Sequence, residues 1–207
     1  MSGTRFETLR DVSQTLLDLL ATNLTPDLTN QIDLSSPKNA GQKRLTLFLY
    51  KVVENADLKN REGAVVPQPG GTLRQDRAPL TLDAYFLLTA HTLGDPDLLA
   101  AHQALSRAMR VFYDNGILQG SQLRAANPNT GLAASSVLRV TLNPISMEEM
   151  TRIWSVFPDT PFEISVTYLV TPVEIESARD FTGAPVVDQI HEHGQRGAEL
   201  VGADGNG

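Results

Sequence analysis

The sequence contains no cysteine. That absence excludes disulfides, thiolate-held zinc, iron–sulfur clusters and a cysteine nucleophile. It fits assembly in the cytoplasm without requiring it. Basic residues are also scarce: 17 Lys and Arg stand against 24 Asp and Glu, a formal net charge of −7. A surface of that sign repels a phosphate backbone, so nucleic acid is not an expected partner. Long apolar runs are missing too. Met1–Leu20 carries Arg5, Glu7, Arg10, Asp11 and Asp18, which argues against a secretory core or a membrane span. No other stretch reaches the roughly 18 uninterrupted apolar residues that a span needs, so direct membrane insertion is not expected.

What is present is an ordinary globular composition, with 207 residues, 41% hydrophobic and 20% charged. A chain of this length buries a sizeable core without a covalent staple. Length and the fading of pattern after Ser177 predict one domain over 1–176, followed by a partly flexible C-terminal extension over 177–207.

Hydrophobic periodicity places the elements. Thr4 and Glu7 have capping-box spacing, and Phe6, Leu9, Ser13, Leu16 and Leu20 follow helical spacing, with Val12 and Leu19 widening a stripe that ends near Asn23. A short strand is expected at Gln31–Ser35, turn chemistry at Pro37–Gly41, and a central strand at Arg44–Val53 that is apolar on both faces until Lys51. Ala56–Ala78 reads as a long polar connection. Pro79–Thr89 alternates as a strand with Leu80, Leu82, Ala84, Phe86 and Leu88 on one side and Thr81, Asp83, Tyr85 and Leu87 on the other. Asp95, Pro96 and Asn115-Gly116 bracket a helix whose expected buried stripe is Leu98, His102, Leu105, Met109 and Phe112, with Leu99, Ala101, Ala104, Ala108 and Val111 beside it. Gln119–Ala134 reads as loop and Val137–Leu142 as a strand. Ser146 and Glu149 cap a short helix with apolar positions Met147, Met150, Ile153, Trp154 and Phe157, and Phe162–Val170 alternates as the last strand. The order α-β-β-β-α-β-α-β predicts an α+β fold: a single mixed, mainly antiparallel β-sheet with helices packed on it.

Residues that carry chemistry do not converge on a recognisable motif. Gly70-Gly71 has no phosphate-loop lysine after it, and there is no nucleophile elbow. His191 and His193 flank Glu192 without the spacing of a helical metal site, and His102 reads as a core or interface histidine. Adjacent Glu148 and Glu149 point about 100° apart on a helix and serve capping rather than an acid–base pair. Asp83 reads as either a hydrogen-bonded structural acid or a buried functional one, and Trp154 as a core or interface anchor. No catalytic residue, cofactor or metal is assigned.

Four segments in order carry a resemblance: LTLFLYKVVENADLKN from Leu45, PLTLDAYFLLTA from Pro79, ALSRAMRVFYDNGIL from Ala104, and the block from Leu138 to Ser177 containing Trp154-Ser155. Together they resemble the cap proteins, or tail terminators, of extracellular contractile injection systems, the phage-tail-like particles of the antifeeding-prophage and virulence-cassette kind. The resemblance implies a tail-terminator-like fold and a structural role rather than catalysis. It implies a homohexameric ring that terminates the inner tube, joins it to the sheath, and assembles in the cytoplasm as part of a particle that is released or membrane-associated. Expected partners are further copies of the chain and the inner-tube and sheath subunits. Arg74 and Arg77 in the 56–78 connection are the candidate interface residues. Rival readings are another adaptor of the same particle, tube-initiating or baseplate, or a small cytosolic enzyme with a scattered site around Asp83 or His91.

Overall fold

The computed structural model describes residues 8–67, 73–75, 77–94, 97–124 and 135–177. The expected Thr4–Glu7 box and Pro96, together with His191 and His193, lie outside the described residues.

Helix α1 spans Thr8–Asn23 and buries Val12, Leu16 and Leu20 at helical spacing. Its buried face also holds polar groups: Asp11 and Thr15 are inaccessible, and the Thr15 hydroxyl donates to the Asp11 carbonyl at 2.7 Å. That hydroxyl also accepts the Arg124 backbone N–H at 2.9 Å, which ties the chain after α2 back to the helix. Strand β1 is reduced to Ile32–Asp33, and Gly41 turns the chain at a φ of 57°. Strand β2 runs Leu45–Glu54 and β5 runs Leu80–Ala90, joined through a small ribbon of β3, Val65–Pro67, and β4, Leu73–Gln75. Helix α2 spans Leu98–Asp114, followed by β6 at Ile117–Gln119, β7 at Val137–Leu142, α3 at Met147–Trp154 and β8 at Ser165–Ile175.

The main sheet has six strands in the order β1-β2-β5-β8-β7-β6, with β3 and β4 forming a separate pair. Only β1 pairs in parallel; the other neighbours are antiparallel. The α+β class and the mixed, mainly antiparallel sheet are therefore as expected. Two irregularities interrupt the ladders, one at Tyr50 in β2 and one where β8 passes Asp83. Each places an extra residue in one strand and resets which side chains share a face.

One face carries the main core. Helices α1 and α2 pack there against Leu45, Leu47, Phe86, Leu88, Leu138, Val140 and Val170. Phe112 of α2 meets Tyr168 edge-on with ring centroids 4.8 Å apart. Side chains of this size each contribute about 2–3 kcal/mol when fully buried. Burial pushes the Tyr168 phenol up to about 12. On the other face α3 covers Leu87 and Phe48 with Met150, Trp154 and Phe157, so the first half of β2 is covered on both sides as expected.

Several boundaries differ from the sequence reading. Helix α2 is capped by Asp97, whose carboxylate accepts the Ala100 N–H, rather than by Asp95. Its buried stripe is Ala101, Ala104, Leu105, Ala108, Val111 and Phe112. Leu98 and Leu99 are exposed, and so is His102, which is not a core histidine. Strand β8 starts later than Phe162 and continues past Pro172 to Ile175. The 56–78 connection and the segment after Gly116 hold short strands that their polar composition concealed.

Candidate assembly surfaces

The candidate residues fall into a structural set and a set on open surfaces. In the first, Asn55 ends β2. Its side-chain oxygen accepts the N–H groups of Asp57 and Leu58 at 3.1 and 2.9 Å, which folds the chain out of the strand. Its amide nitrogen donates to Asp83 at 2.8 Å, and the Thr171 hydroxyl donates to the same carboxylate oxygen. Asp83 is thus the hub that joins β2, β5 and β8 at the second irregularity. This arrangement selects the structural alternative for Asp83 over the functional one.

His91 follows β5 and is buried. One ring nitrogen lies 2.8 Å from the Thr46 hydroxyl, and its carbonyl accepts the Arg44 guanidinium at 2.9 Å. Burial lowers its pKa below the ordinary value of 6.5, and the nearby Glu163 carboxylate partly opposes that shift. Ser146 and Glu149 form the expected reciprocal cap of α3, and the hydrogen bonds from Ser146 hold the Glu149 carboxyl below its usual range. Trp154 is 8% exposed and stacks near Phe157 and Phe162, as a core anchor does.

Three open surfaces stand out among the described residues. Beyond Leu45–Thr46, which pair with β1, strand β2 has no outer neighbour among the described residues. His91 N–H bonds the Arg44 carbonyl and Asn55 N–H bonds the Thr81 carbonyl, both at 2.9 Å, which sets the alternation. Leu47, Leu49 and Val52 therefore turn their backbone groups away from β5, toward an open edge. Lys51 and the irregularity at Tyr50 guard that edge against indiscriminate pairing.

The second surface is a cleft of about 780 Å³ at the far end of the β2–β5 pair, lined by Glu54, Lys59, Arg61, Arg77 and Glu176 among others. Lys59 pairs with Glu54 at 3.4 Å and Arg61 with Glu174 at 2.8 Å, both solvent-exposed and worth little individually. Arg77 is exposed on the cleft wall, and Arg74 sits opposite Val66 in the ribbon. The third is an apolar cleft of about 490 Å³ between α2 and β7, lined by Met109, Phe112, Tyr113, Leu142 and Tyr168. Neither Asp83 nor His91 lines these clefts. Among the described residues no cluster of metal-ligating side chains occurs, and no helix is long and apolar enough to cross a membrane.

The comparison that decides the family covers most of the chain: residues 11–189 match the model of the Pvc16 N-terminal domain. The chain belongs to the Pvc16 N-terminal domain family. Its fold is also that of two solved structures. One is the sheath/tube terminator, in the extended state, of the extracellular contractile injection system PVC. It aligns with a TM-score of 0.60 at 19% identity over 94% of this chain and 65% of that one. The other is the tube-terminating cap of the anti-feeding prophage, with a TM-score of 0.58 at 16% identity over 88% of this chain and 60% of that one. The chain thus spans less than two thirds of either structure. No curated protein matches it. The resemblance read from the sequence is borne out at the level of family and fold.

Proposed function

We propose that this chain is a structural, non-enzymatic cap of an extracellular contractile injection particle. In this reading copies of it close a hexameric ring that terminates the inner tube and joins it to the sheath. The observation that carries the reading is the family match over 11–189 together with the fold shared with a sheath/tube terminator and a tube-terminating cap. A ring matched to the tube's symmetry gives each copy one tube and one sheath neighbour, with heterologous contacts closed by rotation.

The open edge of β2 supports strand addition from a sheath subunit, since Leu47, Leu49 and Val52 present unpaired backbone groups there. Arg77, on the wall of the charged cleft, and Arg74 form a second contact in this proposal. The docked unit is the domain over 1–176, with 177–207 as an extension that strengthens attachment, and assembly takes place in the cytoplasm.

The test is deletion of the gene in its own strain, with particle lengths measured by negative-stain electron microscopy. Over-long, ragged or sheath-shedding tails are expected. Particles of normal length with intact ends would overturn the reading, and complete loss of tails would favour a tube-initiating adaptor.

A further inference from the structure

The ends of β2, β5 and β8 meet around a buried titratable group that the assembly reading does not use. His91 is 6% exposed, and the Thr46 hydroxyl 2.8 Å from its ring belongs to a fully inaccessible residue. Arg44 holds both backbone groups of His91. Its carbonyl accepts the His91 N–H at 2.9 Å, and its guanidinium donates to the His91 carbonyl at 2.9 Å. The same guanidinium lies 3.9 Å from Asp97, the N-cap of α2. Glu163 approaches from the β8 side. One of its carboxylate oxygens accepts both the N–H and the hydroxyl of Thr92, at 3.3 and 2.9 Å. Among the described residues, the charges facing His91 are therefore the Arg44 cation before β2, the Glu163 carboxylate before β8, and the Asp97 carboxylate behind the cation.

Glu163 has a choice of partners. It now holds two neutral donors on Thr92, the residue next to His91 in the chain. It is also near enough to the ring to support the protonated form. An imidazolium offers the carboxylate a charge–charge attraction that the Thr92 groups lack. It also sets a second cation beside Arg44, where burial leaves little water to screen the two. Both effects draw Glu163 toward the ring. The strand pairing beside it stands on other bonds. The Ala90 N–H meets the Ile164 carbonyl at 3.0 Å, and the Thr89 and Ser165 hydroxyls lie 2.9 Å apart. Glu163 can thus change partner while β5 and β8 stay joined.

We propose that Glu163 is a proton-operated latch. It fastens Thr92 to the start of β8 while His91 is neutral, and it passes to the His91 imidazolium, releasing Thr92, when the ring takes up a proton from solvent. No covalent bond changes. Burial of the ring sets the switching point below the ordinary value of 6.5.

The test is a pH titration of the isotope-labelled full-length chain by nuclear magnetic resonance, from about pH 8 to about pH 4.5. The His91 ring carbons, the Glu163 carboxyl carbon and the Thr92 amide are followed together. The Thr92 amide should shift with the midpoint of the His91 ring. Its protection from hydrogen exchange, corrected for the intrinsic rate, should fall at least about tenfold across that midpoint. In His91→Gln the Thr92 amide should stay unchanged until Glu163 itself takes up a proton. In Glu163→Gln it should stay unchanged throughout, while the His91 midpoint moves lower.

A Thr92 amide that ignores the titration of His91 overturns the latch. So does one that moves with the same midpoint in His91→Gln as in the unaltered chain. Dispersion of the amide spectrum establishes that each variant is folded. If His91→Gln does not fold, His91→Asn is read the same way. The midpoints within the unaltered chain also decide without any variant: a Thr92 shift that follows the Glu163 carboxyl carbon and not the His91 ring overturns the proposal. None of these outcomes depends on the terminator reading.

Discussion

Asn55 engages both ends of its amide in holding backbone and neighbours, and Asp83 accepts from two strands at once. Replacing Asp83 with alanine leaves Asn55 and Thr171 without their acceptor. The expected loss is about 1–3 kcal/mol, read from the urea midpoint, with Asp83→Asn losing less. His91 gives a pH dependence of known sign. Its folded pKa is depressed by burial, so the unfolded chain takes up a proton that the folded chain resists. Stability should be highest above 6.5 and should fall as pH drops from there through the folded value. His91→Gln should flatten that slope in urea titrations between about pH 7 and 5. Glu163→Gln should steepen it, because the carboxylate partly supports the protonated ring. A stability curve identical in all three chains would contradict the assignment.

At the scale of elements, α3 shows local chemistry and tertiary packing acting together. Eight residues make too short a helix to stand alone in water, so its cap and its buried face must both contribute. Ser146→Ala should cost about 1 kcal/mol through loss of the N-cap. Trp154→Ala should cost about 3 kcal/mol or more, because it empties the space beside Phe157, Phe162 and Leu87. Both are measured by chemical denaturation. The β3–β4 ribbon makes the opposite case, with three residues in each strand and no place in the main sheet. Reversing Arg74 and Arg77 to glutamate should leave the fold intact and reduce capped particle ends, counted by electron microscopy. Unchanged assembly would remove the ribbon from the contact set.

For the whole molecule, the strand order separates two jobs. The helices α1 and α2 seal one face and supply the main core. Among the described residues α3 covers part of the other face, and the outer side of β2 beyond Thr46 has no neighbour. Among the described residues, the buried core clusters run from Val12 to Val173. Removing residues 178–207 is expected to leave the melting temperature nearly unchanged while loosening attachment to the particle, scored as uncapped tails. Particles that remain fully capped after this truncation would exclude the extension from docking.

The elements that could be read from sequence are those whose pattern is long and local. The stripe through Val12, Leu16 and Leu20, the alternation along Leu82–Leu88 and the Ser146–Glu149 cap each repeat a signal set by backbone geometry alone. The absent cysteine and the net charge fixed the excluded chemistries before any folding. Tertiary structure decided the rest. The N-cap of α2 is Asp97, and β3, β4 and β6 exist through pairing partners rather than through periodicity. Which side chains share a face of the sheet was also decided there. Lys51 lies on the face of Tyr85 and Leu169 because the irregularity at Tyr50 shifts the register by a residue, and such a shift sends every later side chain to the opposite face.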